Sequence, residues 1–338
     1  MMPTIWFCIV AVMVAIYVVL DGFDLGAGIL HLSIARTDSE RRAVLASIGP
    51  VWDGNEVWLL AGGGTLYFAF PALYAAGFSG FYLPLMVVLW LLILRGISIE
   101  FRNHIENSVW CPFWDAVFCG ASVLLAIFFG AALGNVVRGV PLDANGYFFL
   151  PFWTDFAMGP KAGILDWYTI VVAVAALVTL AEHGALWVAY RTEGPVEARA
   201  RQIAARLWPG LLGVVIVITA VSFEVQPHLG ESFRDRPWGF IFPLLAIAGL
   251  IVMKFRDPLR AFLGSCAYIV GMLTSVVFGV YPLVLPSDSN PAYSLTIHNA
   301  AAPAYGLEIG LVWFTPGIIL AAVYFTYTYR SFAGKIRT

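Results

Sequence analysis

Charge is the scarcest commodity in this 338-residue sequence: only 12% of residues are Asp, Glu, Lys or Arg, about half the roughly 25% of an ordinary soluble domain. Against that stands 60% AVILMFWYC and a mean hydropathy of +0.83. So few polar side chains cannot cover an aqueous globule of this size, so the solvent is lipid. The formal net charge of -2 leaves no basic surface for nucleic acid, and the hydrophobicity excludes disorder. Cysteine is equally sparse. Cys8, Cys111, Cys119 and Cys266 form no CxxC or CxxCH spacing, which excludes a disulfide scaffold, a c-type haem attachment and a thiolate metal site; they read as buried thiols. Five histidines, His31, His104, His183, His228 and His298, include no HxxxH or ExxH pair, so two-ligand haem or metal faces are missing.

What is present is a succession of apolar runs. A spanning helix needs about 20 mostly apolar residues, and breaks at charge clusters and Pro/Gly-rich turns give nine candidates near 4–34, 48–70, 77–101, 113–137, 163–190, 207–227, 238–253, 260–284 and 305–329. The expected fold is an all-α membrane protein of nine transmembrane helices forming a single integral membrane domain over 1–338. The first run lacks a basic n-region and a small-residue cleavage site, so it reads as a retained span, long enough to bend at Gly22, Gly26 and Gly28. Nine crossings put fourteen Lys and Arg residues on one side and four on the other, with Arg95 inside a span. Cytoplasmic loops carry excess Lys and Arg, which predicts an outside N-terminus and a cytoplasmic C-terminus. The two longest loops, 138–162 and 285–304, then lie outside. Tyr147, Phe148, Phe149, Phe152 and Trp153 in the first suit an aromatic belt at headgroup level. The segment 191–206 suits a short surface helix.

Ionisable side chains inside spans cost about 2.5 kcal/mol or more to insert, so each is a functional candidate. They are Asp21 and Asp24, Asp53 and Glu56, Arg95 and Glu100, and Glu182 with His183. At a rise of about 1.5 Å per residue all of them map to the cytoplasmic half. Asp21 and Asp24 share a helix face, as do Asp53 and Glu56. Carboxyls from several helices at one membrane level suit a proton path from the cytoplasm. The competing structural reading places Asp53 as a cap or a partner of Arg95, and Glu100 as a partner of Arg102 or Arg95. Asp21 and Asp53 have no base next to them in sequence. The run Gly62, Gly63 and Gly64 reads as a close-packing seam, since a phosphate loop would need a preceding strand and a following Lys-Ser/Thr.

The strings DGFDLGAGIL at 21–30, ERRAVLASIGPVWDGNEVWLLAGGGTLYFAFPALYAAGFSGFYLPL at 40–85, RGISIEFRN at 95–103 and YSLTIHNAA at 293–301 resemble subunit II of the cytochrome bd-type quinol oxidases. The resemblance covers essentially the whole chain, and WDGNEVW is its most specific part. It implies a multi-pass subunit of a respiratory terminal oxidase in the bacterial cytoplasmic membrane, in which quinol is oxidised and dioxygen reduced to water. It implies two four-helix bundles plus one peripheral helix. It also implies a partner subunit I carrying haem b, a b595-type haem, haem d and the quinol site, with no haem ligand in this chain, and admits small single-helix accessory subunits. By the same resemblance a proton path runs along Asp21, Asp24, Asp53 and Glu100, and an oxygen route from the lipid opens near Trp58. Position 56 is Glu where some members have Gln, and position 100 is Glu where some have Asp; Glu56 joins the expected proton path on its own chemistry. The rival reading is a proton-coupled secondary transporter, which would show matching Gly/Pro-broken spans in its two halves. No such break follows the fifth span.

Overall fold

The computed structural model describes residues 1–159 and 161–337 and is almost wholly helical. Helix α1 (Met2–Ile34) starts with proline in its first turn and runs unbroken through Gly22, Gly26 and Gly28. A short α2 (Asp38–Ile48) follows, begun by a capping box in which Thr37 Oγ1 accepts from the Glu40 amide and Glu40 Oε2 accepts from the Thr37 amide. Next come α3 (Trp52–Ala69), α4 (Pro71–Gly80), α5 (Tyr82–Phe101) and α6 (Trp110–Arg138). Helix α7 (Trp167–Arg191) is capped by Asp166, whose Oδ1 accepts from the amides of Tyr168 and Thr169 at 2.8 and 3.0 Å. Then follow α8 (Gly194–Val225), α9 (His228–Asp235), α10 (Ile241–Val252), α11 (Pro258–Val280) and α12 (Ala304–Ser331).

Seven of these, α1, α5, α6, α7, α8, α11 and α12, are long and apolar enough to cross a membrane. An eighth candidate is broken: α9 and the segment 237–252 meet at 108°. The second expected span is the 18-residue α3, whose polar WDGNE start dilutes its apolar remainder; Pro71 then begins α4 as a separate short helix. The expected surface helix at 191–206 is instead the first half of α8, continuous to Val225.

In lipid the hydrophobic effect does not drive helix association, so close van der Waals packing through small residues takes its place. Helices α1 and α7 cross backbone to backbone: a Cβ added to Gly26 would lie 2.6 Å from the Gly184 nitrogen. The Gly62–Gly64 run is not such a seam. Nothing lies within 4 Å of a Cβ added to Gly63 or Gly64, and one added to the buried Gly62 would reach only Met13 Cβ, at 4.0 Å. The cysteines also depart from expectation: Cys8 is exposed and the other three are half-buried.

The two ends of the bundle differ in chemistry. At one end, Arg199 pairs with Glu40 at 2.6 Å and donates to the Ile34 carbonyl, Arg191 donates to the carbonyls of Phe332 and Gly334, and Lys335 pairs with Glu197. At the other, the loops 139–166 and 281–303 fold onto each other. There β1 (Leu283–Leu285) pairs antiparallel with β2 (Leu295–Thr296), and Val140 bridges to Ser287. Of the five loop aromatics, Phe148 is buried with Leu142, Leu150 and Leu285, and Phe152 is packed against the same cluster. Tyr147, Phe149 and Trp153 point outward.

Candidate functional site

Two buried knots hold several of the charged residues of the helices. The first is centred on Arg95 of α5, which has no exposed surface. Its guanidinium grips Asp21 of α1 with both terminal nitrogens, Nη1 to Oδ2 at 2.8 Å and Nη2 to Oδ1 at 2.7 Å, and Nη2 also meets Glu56 Oε2 of α3 at 3.0 Å. Arginine suits this place, because its planar fork meets two carboxylates while remaining ionised. One turn beyond Asp21, Asp24 is also fully buried. Its Oδ2 accepts from Asn55 Nδ2 at 2.7 Å, and Asn55 Oδ1 accepts from the Tyr329 hydroxyl of α12 at 2.8 Å. Asp24 Oδ1 has no hydrogen-bond partner, nor does the hydroxyl of Tyr17, one turn before Asp21. Four helices, α1, α3, α5 and α12, thus build one polar site in an apolar interior.

The second knot is centred on Asp115 of α6, also with no exposed surface. Its Oδ1 accepts from Arg102 Nε at 2.6 Å and lies 2.7 Å from His31 Nε2; its Oδ2 accepts from Arg41 Nη1 at 2.9 Å. Arg102 continues to Asp38 at 2.7 Å, and Arg42 links Asp38 to Glu106. This knot ties the end of α1 to α2, to the residue after α5 and to the start of α6, and it grades into the surface: the Arg41 side chain is 25% exposed and that of Asp38 53%.

The positions singled out in the sequence separate accordingly. Asp21, Asp24 and Glu56 meet in the Arg95 knot. Asp53 and Glu100 are exposed on the surface of this chain, Asp53 one turn from Glu56. Asp21 does have a basic partner, Arg95, supplied by another helix 74 residues away. Glu100 pairs with neither Arg95 nor Arg102, which are taken by Asp21, Glu56, Asp115 and Asp38. Trp58 is 7% exposed and packs with Met13, Tyr17 and Phe325. Glu182 is buried with Oε2 unpartnered. Its neighbour His183 uses both ring nitrogens, on Ser265 Oγ at 2.7 Å and the Val19 carbonyl at 2.9 Å. Among the described residues no group of three or more His, Cys, Asp or Glu side chains is arranged to hold a metal ion. The sequence reading does not single out Asp115, Asn55 or Tyr329. Asp115 carries the signal that marks the other acids, an ionisable residue in an apolar run, whereas nothing local marks Asn55 or Tyr329.

The model of one protein family, cytochrome bd terminal oxidase subunit II, matches residues 2–332. A probable cytochrome oxidase subunit 2 of Haemophilus influenzae is 31% identical, with 98% of this chain and 94% of that protein aligned. The cytochrome bd ubiquinol oxidase subunit 2 of Bacillus subtilis is 29% identical over 96% of this chain and 95% of its own length. The cytochrome bd-I ubiquinol oxidase subunit 2 of Escherichia coli is 29% identical over 96% and 91%. A chain of the solved bd oxidase from Geobacillus thermodenitrificans shares the fold, with a TM-score of 0.75 over 98% of both chains at 16% identity. The chain therefore belongs to the cytochrome bd terminal oxidase subunit II family, as a multi-pass subunit of a respiratory quinol oxidase in the bacterial cytoplasmic membrane.

Proposed function

We propose that this chain is the haem-free half of the oxidase and carries protons from the cytoplasm towards a subunit I that holds haem b, a b595-type haem, haem d and the quinol site. Those haems supply the electron transfer and oxygen reduction. This chain's own histidines suit another role: His183 has both nitrogens engaged, and His31 is turned onto Asp115. The whole chain acts as a single membrane domain crossing nine times in two four-helix bundles plus a peripheral helix, with α3 and the bent α9–α10 segment completing the count. Its cytoplasmic end is the one where the Arg-rich segments meet, which gives an outside N-terminus and a cytoplasmic C-terminus.

One observation carries the proton reading: of three clustered carboxyls, Asp21 and Glu56 share the single guanidinium of Arg95, while Asp24, one turn from Asp21, is held by Asn55 alone and keeps one buried oxygen unpartnered. A cluster with more acids than bases can load and release a proton without unpairing Arg95. Exposure grades along it, from Asp53 on the surface through Glu56, 24% exposed, to Asp21 and Asp24 at 0%. Glu100 sits on the exposed face of α5, where a partner subunit can extend the path. For oxygen, an apolar solute enriched in lipid, the aromatic cluster at Trp58 offers a route free of charge. Membership of the oxidase family disfavours the transporter reading.

The test uses the assembled two-subunit oxidase. Its visible spectrum should carry red haem d bands, and Asp24→Asn and Asp53→Asn should each slow quinol oxidation about tenfold or more with haem content unchanged. Normal turnover in both variants removes the proton role.

A further inference from the structure

The proton reading names acids that converge from different helices, but it leaves unused a set of polar atoms lying along α1. Tyr17, Asp21, Asp24, Gly28 and His31 follow one another at intervals of four, three, four and three residues, so they occupy one face of the helix. From Tyr17 to His31 that face runs about 21 Å. All four side chains on it are buried, at 5% exposure for Tyr17 and 0% for the others. Three of them have a polar atom without a hydrogen-bond partner, Tyr17 Oη, Asp24 Oδ1 and His31 Nδ1, while both carboxyl oxygens of Asp21 are taken by Arg95.

The gap in this stripe is Gly28, and there α6 supplies the missing group. Ser122 has no exposed surface, its Oγ is unpartnered, and a Cβ on Gly28 would collide with it. Helix α6 runs antiparallel to α1 along this seam, which places Asp115 against His31, Cys119 against Ile29 and Ser122 against Gly28. The unpartnered atoms thus form a file shared between two helices. Buried polar groups are normally satisfied, and a run of four unsatisfied ones on one seam calls for a shared occupant. Water or a migrating proton satisfies them together, because each atom can accept or exchange a hydrogen.

At its far end the file meets the Asp115 knot. The charged groups of that knot face His31: Asp115 from α6, Arg41 from α2, and Arg102 after α5, while Phe118 packs edge-on against its ring. Asp115, held by two arginines, is an acceptor only, so the His31 Nε2–H donates to it and Nδ1 faces the file. Arg41 reaches from Asp115 to the surface.

We infer that this α1–α6 seam is a second proton file, in which His31, backed by Asp115, passes protons by way of Ser122 to Asp24 in the Arg95 cluster. The inference rests on the proton reading for that cluster. His31 takes one proton at Nδ1 from a water that reaches the seam from the cytoplasmic side, and stands briefly as an imidazolium with Nε2–H kept on the Asp115 carboxylate. It then gives a proton from Nδ1 to a water beside it or to the Ser122 hydroxyl, which releases its own onward. The pair returns to its starting charge. His31 is a proton-carrying residue here, Asp115 a positioning residue.

The experiment uses the two-subunit oxidase in vesicles, with proton uptake followed by a pH-indicator dye as reduced enzyme meets oxygen. His31→Gln keeps an amide donor for Asp115 but has no ring nitrogen to carry a proton. It should slow uptake about tenfold or more and change the pH profile of the rate, with haem content and heat resistance kept. Ser122→Ala, which removes only a hydroxyl, should slow it severalfold. Should His31→Gln lose haem or fail to assemble, Ser122→Ala decides: slowed uptake supports the file and a normal rate overturns it. A normal rate and pH profile in His31→Gln while Asp24→Asn is slow overturns the file and leaves the cluster standing. Normal rates in both remove both readings. A slow His31→Gln beside a normal Asp24→Asn overturns the junction at Asp24.

Discussion

Arg95→Leu should be among the most damaging single changes in this chain. The guanidinium is fully buried and binds both oxygens of a fully buried Asp21, with Glu56 as a second, quarter-exposed partner. Leucine fills much of the volume but leaves Asp21 with no compensating charge. Removing one partner of a buried pair costs about 3–5 kcal/mol, most of it the desolvation of the charge left behind. Glu56 adds less, because water reaches it. At about 2 °C per kcal/mol for a chain of this size, the heat midpoint of the purified oxidase should fall by about 6–10 °C. The assay is the fraction of complex surviving as a single size-exclusion peak after graded heating. The cost comes from a stranded carboxylate and not from lost packing, so Asp21→Asn placed on Arg95→Leu should restore about half of the loss. Additive damage in the double variant, or an Arg95→Leu complex as heat-resistant as the parent, refutes the reasoning.

Two further outcomes follow from the packing and the ends. Gly184→Val should cost at least about 1–3 kcal/mol in the same heating assay, since the α1 backbone at Gly26 leaves no room for a branched side chain; an unchanged midpoint would mean the two helices do not touch there. Glu40 bonds Arg199 and the amides of Arg36 and Thr37, and these hold its carboxyl down from 4.5 to about 2. A group whose folded value is depressed stabilises fully above its unfolded value and loses that contribution as pH falls through the folded one. The heat-resistance gap between parent and Glu40→Gln should therefore be full above pH 4.5 and close towards pH 2; a gap independent of pH contradicts the pairing.

The helices were legible because their causes are local. Apolar runs end where Arg, Pro or Gly cluster, and α1, α6, α7 and α11 begin and end within a few residues of the expected limits. Helix α3, at the expected second span, falls short of the other long helices for the same reason, since WDGNE at its start is polar enough to weaken its apolar signal. Within the site, the spacing of Asp21 and Asp24 put both acids on one face of α1 in advance. The partner of Asp21 was hidden, because Arg95 is far along the chain and marked only as a base inside an apolar run. The role of Asn55, and that of Tyr329 at the end of α12, had no local signal at all.

The sequence by itself determined that this chain lives in lipid and where its long helices lie, because hydropathy acts residue by residue. Only the tertiary structure decided which acids meet. A helix surrounded by lipid and by other helices is apolar on nearly every side, so its pattern does not reveal which face turns inward. Rotation about each axis is fixed by contacts such as Gly26 on Gly184, and that rotation brings Asp21, Asp24 and Glu56 together around Arg95 while leaving Asp53 and Glu100 on the surface.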